Sequence, residues 1–208
     1  MMTKFNLVFK LLLTLLLLVV MVYLARIGIA DFMRLEPTAY VEDVQKGIER
    51  PGAARLQEAR QQLLDARDWD AGNPLIPEYL GQVAIIRAQL ISLSPLLQEK
   101  LFREAIENFD TALALRPNSA YLWADRMTAG SLLLEAKERT SVDDKLVEHE
   151  LSVIAIALRH AADLGPWEPK VLVQLVRVGR LRYEALSEES RALIVAAVVR
   201  ADKLQLKF

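Results

Sequence analysis

The sequence predicts an all-α protein: one membrane-spanning helix followed by an array of helical hairpins, about seven to nine helices in all. Three observations carry that expectation. Leu11 to Ala25 is a run of fifteen uncharged, almost wholly apolar residues, LLLTLLLLVVMVYLA. From Asp31 onward, apolar and charged residues recur at helical spacing, with little strand-like alternation. Leu, Ala, Arg and Glu dominate, and the eight Gly and eight Pro sit mostly at boundaries, a composition that favours helix.

The apolar run comes first. Fifteen helical residues rise roughly 22 Å, short of a hydrocarbon core of about 30 Å, so the span must draw on its flanks. Phe5–Phe9 precede Lys10, and Ile27–Ala30 follow Arg26. The two cations can lie along the helix and reach opposite interfaces. Tyr23 falls where an interfacial aromatic belongs. Residues 5–30 are thus the expected contact with the bilayer. The N-terminal flank holds Lys4 and Lys10 and no acid, whereas Arg26, Asp31, Arg34 and Glu36 mix charges on the other side. Cations favour the cytoplasmic face. That predicts a single-pass protein with a cytoplasmic N-terminus and, in a bacterial inner membrane, a periplasmic C-terminal domain. A cleaved signal peptide is the alternative, with Gly28-Ile29-Ala30 as its small-x-small site. The length of the apolar run, and Arg26 standing before that site, favour an uncleaved anchor. The chain has no cysteine, which fits an oxidising compartment and excludes disulfides and thiolate chemistry.

The chain divides into a cytoplasmic tail and transmembrane helix (1–30), a juxtamembrane connector (31–52) and a helical domain (53–208). In the connector, a helix from Thr38 to Ile48 is expected to break at Arg50-Pro51-Gly52. In the domain, a helix over 53–69 ends at Asp70-Ala71-Gly72-Asn73-Pro74, where Gly72 suits a left-handed cap and Pro74 blocks continuation. A second, 76–92, stops near Ser94-Pro95. A third, 97–115, carries one apolar stripe: Phe102, Ala105, Ile106, Phe109, Ala112 and Leu113. The next, 119–137, is capped by Asn118 or Ser119 and lines one face with Trp123, Met127, Gly130 and Leu134. A polar break at Thr140–Asp144 leads to 145–164, apolar on more than one side. Gly165-Pro166-Trp167-Glu168-Pro169 is a turn. The last pair is 169–185 and 188–205, with Ser187 as N-cap and Glu188 and Glu189 in the first turn, favourable to the helix dipole.

One segment repeats. Ala105-x3-Phe109-x2-Ala112-x4-Pro117 places small residues where two helices approach, a Phe wedge between them and a Pro at the following turn; Trp123 then supplies a bulky aromatic early in the next helix. Fainter copies are Ala59-x3-Leu63-x2-Ala66-x4-Ala71, Ala157-x3-Ala161-x2-Leu164-x4-Pro169 and Ala192-x3-Ala196-x2-Val199. The strong copy resembles the second helix and turn of a tetratricopeptide repeat, and the resemblance covers roughly residues 53–204. The spacings exceed the family's repeat length, and its Leu-Gly pair is seen only as Leu80-Gly81, at the wrong offset from Ala105. The layout also resembles VpsP-type membrane-anchored proteins of bacterial exopolysaccharide clusters. The shared features are the ARIGIADF junction, the WDAGNP and LGPWEPKV turns, and the ALALRPNSAYLWA segment. That resemblance implies a role in exopolysaccharide or biofilm-matrix production.

Chemistry-bearing patterns are sparse. The two histidines, His149 and His160, share a helix face but stand about 16 Å apart along it, too far to ligate one metal. No Gly-rich phosphate loop or nucleophile elbow occurs. Glu188-Glu189 and Asp143-Asp144 read as helix starts. No catalytic, cofactor or metal residue is expected. Trp69, Trp123 and Trp167 stand near turns, where they read as packing wedges rather than sugar-stacking platforms. Lys170, Arg177, Arg180 and Arg182 form a basic cluster on one helix, read first as a solvated face and second as a partner contact. The charge balance, 26 basic against 27 acidic residues, offers no footprint for nucleic acid.

If the hairpins stack into a superhelix, first helices line its concave side. Tyr121, Asp125 and Thr128, with Arg177 and Arg180, would then form a partner-binding groove. The expected function is a non-enzymatic scaffold that binds protein components of a polysaccharide synthesis or export machine, with self-association left open. A periplasmic chaperone adaptor, a cytochrome-maturation subunit and a polysaccharide-modifying enzyme are the alternatives. The enzyme would need clustered carboxylates in a deep cleft.

Overall fold

A computed structural model describes residues 2–90, 94–140 and 144–207. Among them are eight α-helices and no strand: α1 (Met2–Gln45), α2 (Ala53–Trp69), α3 (Leu75–Gln89), α4 (Pro95–Leu115), α5 (Ala120–Glu138), α6 (Asp144–Leu164), α7 (Pro169–Arg182) and α8 (Glu188–Lys203). A short 3-10 turn, Tyr183–Ala185, extends α7. The helical boundaries expected for the domain hold to within a few residues. Most of the break expected at Thr140–Asp144, and the end expected for the helix over 76–92, fall outside the described residues, as do the side chains of Lys4 and Phe5.

The connector is where the structure departs from the sequence reading. Residues 31–45 do not form a separate element. They continue α1, which is 44 residues long and therefore about 66 Å from end to end. Pro37 lies inside it. Its ring removes one donor from the helical ladder without ending the helix, and the Thr38 hydroxyl donates to the Leu35 carbonyl at 3.0 Å. The helix ends earlier than Arg50-Pro51-Gly52. Gly47, at φ 71°, is the left-handed residue. The Ile48 N–H reaches back to the Asp43 carbonyl at 2.8 Å and the Gly47 N–H to that of Val44 at 3.1 Å. Those two bonds are the Schellman closure of a helix C-terminus.

Gly72 needs no left-handed backbone. Asp70 accepts the Gly72 N–H at 3.1 Å, and the Asn73 side chain accepts the Leu75 N–H at 3.1 Å. Two Asx-type turns therefore do the work expected of the glycine. Elsewhere the expected caps form: Ser119 accepts from Leu122 N at 3.4 Å and Ser187 from Ser190 N at 3.3 Å.

The helices pack as hairpins in chain order: α1 on α2, α3 on α4, α5 on α6 and α7 on α8. Each hairpin stacks on the next, and α1, α3, α5 and α7 also touch in succession. The upper half of α1 is the first helix of the first hairpin. Tyr40 and Val41 are buried there against Leu56, Leu63 and Ile76. The cores of the later hairpins follow, one around Phe109, Ala105 and Ala112 and one around Met127, Ile154 and Leu172.

Close approach within three hairpins depends on a glycine. A Cβ at Gly81 would lie 2.7 Å from the Phe109 ring, one at Gly130 3.1 Å from Ile154, and one at Gly179 2.4 Å from Ile194. Each glycine sits on the first helix of its hairpin and faces a large side chain on the second. Successive glycines are 49 residues apart. This is a more regular period than the Ala-Phe-Ala pattern suggested. Trp123 is half-buried, donates its indole N–H to the exposed Pro117's carbonyl at 2.8 Å and stacks on His160. Trp69 and Trp167, expected as wedges, are largely exposed instead, at 42% and 53%.

Ion pairs tie neighbouring helices: Arg60 to Glu104 at 2.7 Å, Lys137 to Glu150 at 2.6 Å, and Arg182 to Glu138 at 2.6 Å. Lys137 and Glu150 are both buried, so removal of one partner would strand a charge.

Two outcomes follow for chemical denaturation of the detergent-solubilised full chain. Phe109→Ala, at a fully buried ring, should cost about 3–5 kcal/mol. Gly81→Ala and Gly179→Ala should each cost about 1–3 kcal/mol by overpacking, offset by up to about 1 kcal/mol of helix propensity, while Gly130→Ala should sit near neutral.

Candidate functional site

The odd-numbered helices enclose a cavity of about 980 Å³ on the concave side of the array. Its walls are the end of α1, α3, α5 and the start of α7. Val44, Ile86, Leu90 and Val173 supply apolar surface. Three acids (Glu42, Glu78, Asp125) face three bases (Lys46, Lys170, Arg177), so the cavity has no net sign. Gln45, Gln82, Gln89 and Gln174 also line it. They are four of the nine glutamines in the chain, a concentration of groups that can each donate and accept.

At the centre is Asp125. The Gln174 amide donates to its Oδ1 at 2.7 Å and the Gln82 amide to its Oδ2 at 3.2 Å. The three side chains come from α5, α7 and α3, so one carboxylate joins three hairpins. The amide oxygen of Gln82, Oε1, is buried with no protein partner. Burial raises the Asp125 carboxyl above its ordinary range, against the pull of the two amides and of Lys170.

Glu78 lies on α3 beside it. It is ion-paired to Arg116, at the C-terminal end of α4. Burial nevertheless outweighs the guanidinium, and the Glu78 carboxyl is also raised, with the Asp125 charge adding to the rise. At the rim, Tyr79 donates to Glu42 at 2.6 Å, and burial followed by this bond raises the phenol. Tyr121 donates to Glu168, which raises its phenol too.

Of the residues expected in a groove, Tyr121, Asp125 and Arg177 line this cavity. Thr128 lies one turn beyond Asp125; its hydroxyl donates to the Ala124 carbonyl at 2.9 Å and stands 3.4 Å from Gln174 Oε1. Arg180 is exposed and outside the lining. The basic cluster therefore splits. Arg177 turns into the cavity, whereas Arg182 forks onto Glu138 and donates to the Ser131 carbonyl at 3.1 Å, which clamps α7 to α5. Glu78, Gln82, Gln174 and Lys46 escaped the sequence reading. A signal for part of the set exists: Asp125 and Gln174 each stand five residues before a helix glycine. Ile76, at the same place in α3, belongs to the core.

His149 and His160 do not converge on a shared ligand: His160 stacks on Trp123 at 4.3 Å. Among the described residues no group of three or more His, Cys, Asp or Glu side chains could hold a metal ion.

The raised carboxyls have a consequence for stability. In the folded chain Asp125 and Glu78 keep their protons to higher pH than in the unfolded chain. Between the two values the folded state binds more protons, so stability from these groups falls as pH rises and returns as pH falls. The Tm of wild type minus that of Asp125→Asn should therefore become more positive on going from about pH 7 to about pH 5. A difference that stays flat across this range would show that the Asp125 carboxyl titrates normally.

Neither the family models nor the curated proteins compared with this chain match it.

Proposed function

We propose that this protein is a membrane-anchored, tetratricopeptide-like scaffold whose concave cavity holds an extended segment of a protein partner, and that it serves bacterial exopolysaccharide synthesis or export. The observation that carries the binding reading is the glutamine-lined cavity built by every odd-numbered helix. An extended main chain presents alternating N–H and C=O groups, and amide side chains satisfy both. Apolar walls and balanced charge suit a peptide better than a polyanion or polycation.

The rest of the reading concerns place. α1 carries the one described segment long and apolar enough to cross a membrane. In our reading it crosses once, with the N-terminus in the cytoplasm and the array in the periplasm of an inner membrane. Cleavage after Ala30 would cut a continuous helix at a fully buried residue, which supports an anchor that stays attached. Confinement to the membrane raises the effective concentration of a membrane-bound partner. The exopolysaccharide role itself is supported by the resemblance of the turn motifs to VpsP-type proteins.

A second reading has its own observation. Glu78 and Asp125 are two carboxyls with raised pKa values in one cavity, the kind of pair acid–base chemistry uses. Their bonding favours the binding reading. Both Asp125 oxygens are held by amides and Glu78 is paired with Arg116, which leaves neither poised over an open substrate position.

A photo-crosslinker at Val173 in the full-length protein, in intact membranes, separates these. Capture of a polysaccharide synthase or exporter subunit, lost in a Gln82→Ala/Gln174→Ala variant, is the expected result. Recovery of general folding factors alone would count against the scaffold. Turnover of a glycan by wild type, abolished by Asp125→Asn, would favour the enzyme.

A further inference from the structure

The geometry points to a second membrane contact besides the span: the turn from α2 to α3 lies in the headgroup layer, with Trp69 as its anchor. The inference rests on the reading that α1 crosses the bilayer.

Arg26 closes the apolar run of α1 and would be expected to reach for lipid phosphates. It does not point away from the protein. Its guanidinium donates to the carbonyls of Asp68 and Trp69, at 3.1 Å and 3.3 Å. These are the last carbonyls of α2, the negative end of a helix dipole, where a cation is favourable. A little above, the Asn73 amide donates to Asp31 at 3.3 Å. Two bonds from one cation and a third from the turn thus fix the Trp69–Asn73 segment at the height of residues 26–31 of α1.

That height is the edge of the bilayer. The uncharged run ends at Ala25, and Asp31 and Arg34 follow within a few residues. Headgroup layers are about 5–7 Å deep on each side of the hydrocarbon, about four helical residues of rise. Trp69 is the last residue of α2 and is 42% exposed. An exposed tryptophan beside the end of a span matches the aromatic belt, in which an indole places its apolar body and polar N–H at one boundary. Asp68 and Asp70 on either side limit its depth, since neither charge can enter hydrocarbon cheaply.

The consequence is orientation. A span alone lets an ectodomain swing about its exit point. Two contacts, one along α1 and one beside it, set the tilt of the array. The cavity wall at Val44 is then held about 20 Å above the bilayer along α1.

The test uses the full chain reconstituted in bilayers, with insertion checked by resistance to alkaline extraction. Tryptophan emission is compared in ordinary lipids and in lipids brominated near the carbonyl end of the acyl chain, for wild type and Trp69→Phe. Wild type should lose roughly a third of its emission to the brominated lipid, as one belt tryptophan among three would. Trp69→Phe should lose almost none. Arg26→Gln, which keeps the span, should reduce the quenching of Trp69. Equal quenching of wild type and Trp69→Phe in alkali-resistant protein would overturn the second contact and leave the span standing. Release by alkali would overturn both.

Discussion

The array depends on α1 being one helix. A chain that leaves a bilayer must keep its backbone hydrogen-bonded until it reaches water, and continuing the helix does this at no further cost. Here the same helix then serves as the first wall of the first hairpin. Tyr40 and Val41 are buried by α2 and α3 only because the turns that carry them follow in phase from the apolar run. Val44, Gln45 and Lys46, at the far end, reach the cavity. The apolar run and part of the cavity wall are therefore carried by one continuous helix. Pro37 loses a single bond within that helix, and the packing around it holds the helix together.

From α1 onward, the array is held by close contact within each hairpin and by the succession of odd-numbered helices. Gly81, Gly130 and Gly179 let the second helix of each hairpin press against the first, with a Phe or Ile ring or branch where a Cβ would stand. The odd-numbered helices touch in succession, and the space among them is the cavity. Polar groups fill the gap that close packing does not. The Gln82–Asp125–Gln174 bridge spans three hairpins with two hydrogen bonds to one carboxylate. Such a bridge adds little net stability. Its value is in register, because one helix cannot slide past another without stranding a buried charge.

Much of this was legible in the sequence, and the reasons it was are local. Helix extents follow from period and from caps such as Ser119 and Ser187, whose chemistry acts within three residues. Phe109 between Ala105 and Ala112 is legible because a single helix face carries it. Asp125 and Tyr121 were reached by assuming that first helices line the concave side. What was missed is non-local or competes with a familiar rule. Pro37, which lacks a backbone N–H, lies inside a helix whose connector part was expected to start only at Thr38. Gly72 reads as a left-handed cap, yet Asp70 and Asn73 satisfy the turn by side-chain bonds. Arg26 reads as a snorkelling cation, yet the end of α2, more than forty residues away in sequence, captures it. Glu78, Gln82 and Gln89 carry no motif at all, and only the packing of α3 beside α5 and α7 brings them to the cavity.

Fixed orientation matters more for a scaffold than for an enzyme. A catalyst needs its reacting groups aligned with each other, and a domain on a floppy tether can still provide that. A scaffold gains by meeting its partner already positioned, because each degree of freedom lost before binding is one not lost during it. The features of this chain fall on the side of prior alignment. α1 runs unbroken into the array, Arg26 bonds the end of α2 to α1, and the Asp125 bridge joins three hairpins. The two raised carboxyls fit the same account. Burial raises the Asp125 carboxyl, and its two amide hydrogen bonds fix the relative position of three helices.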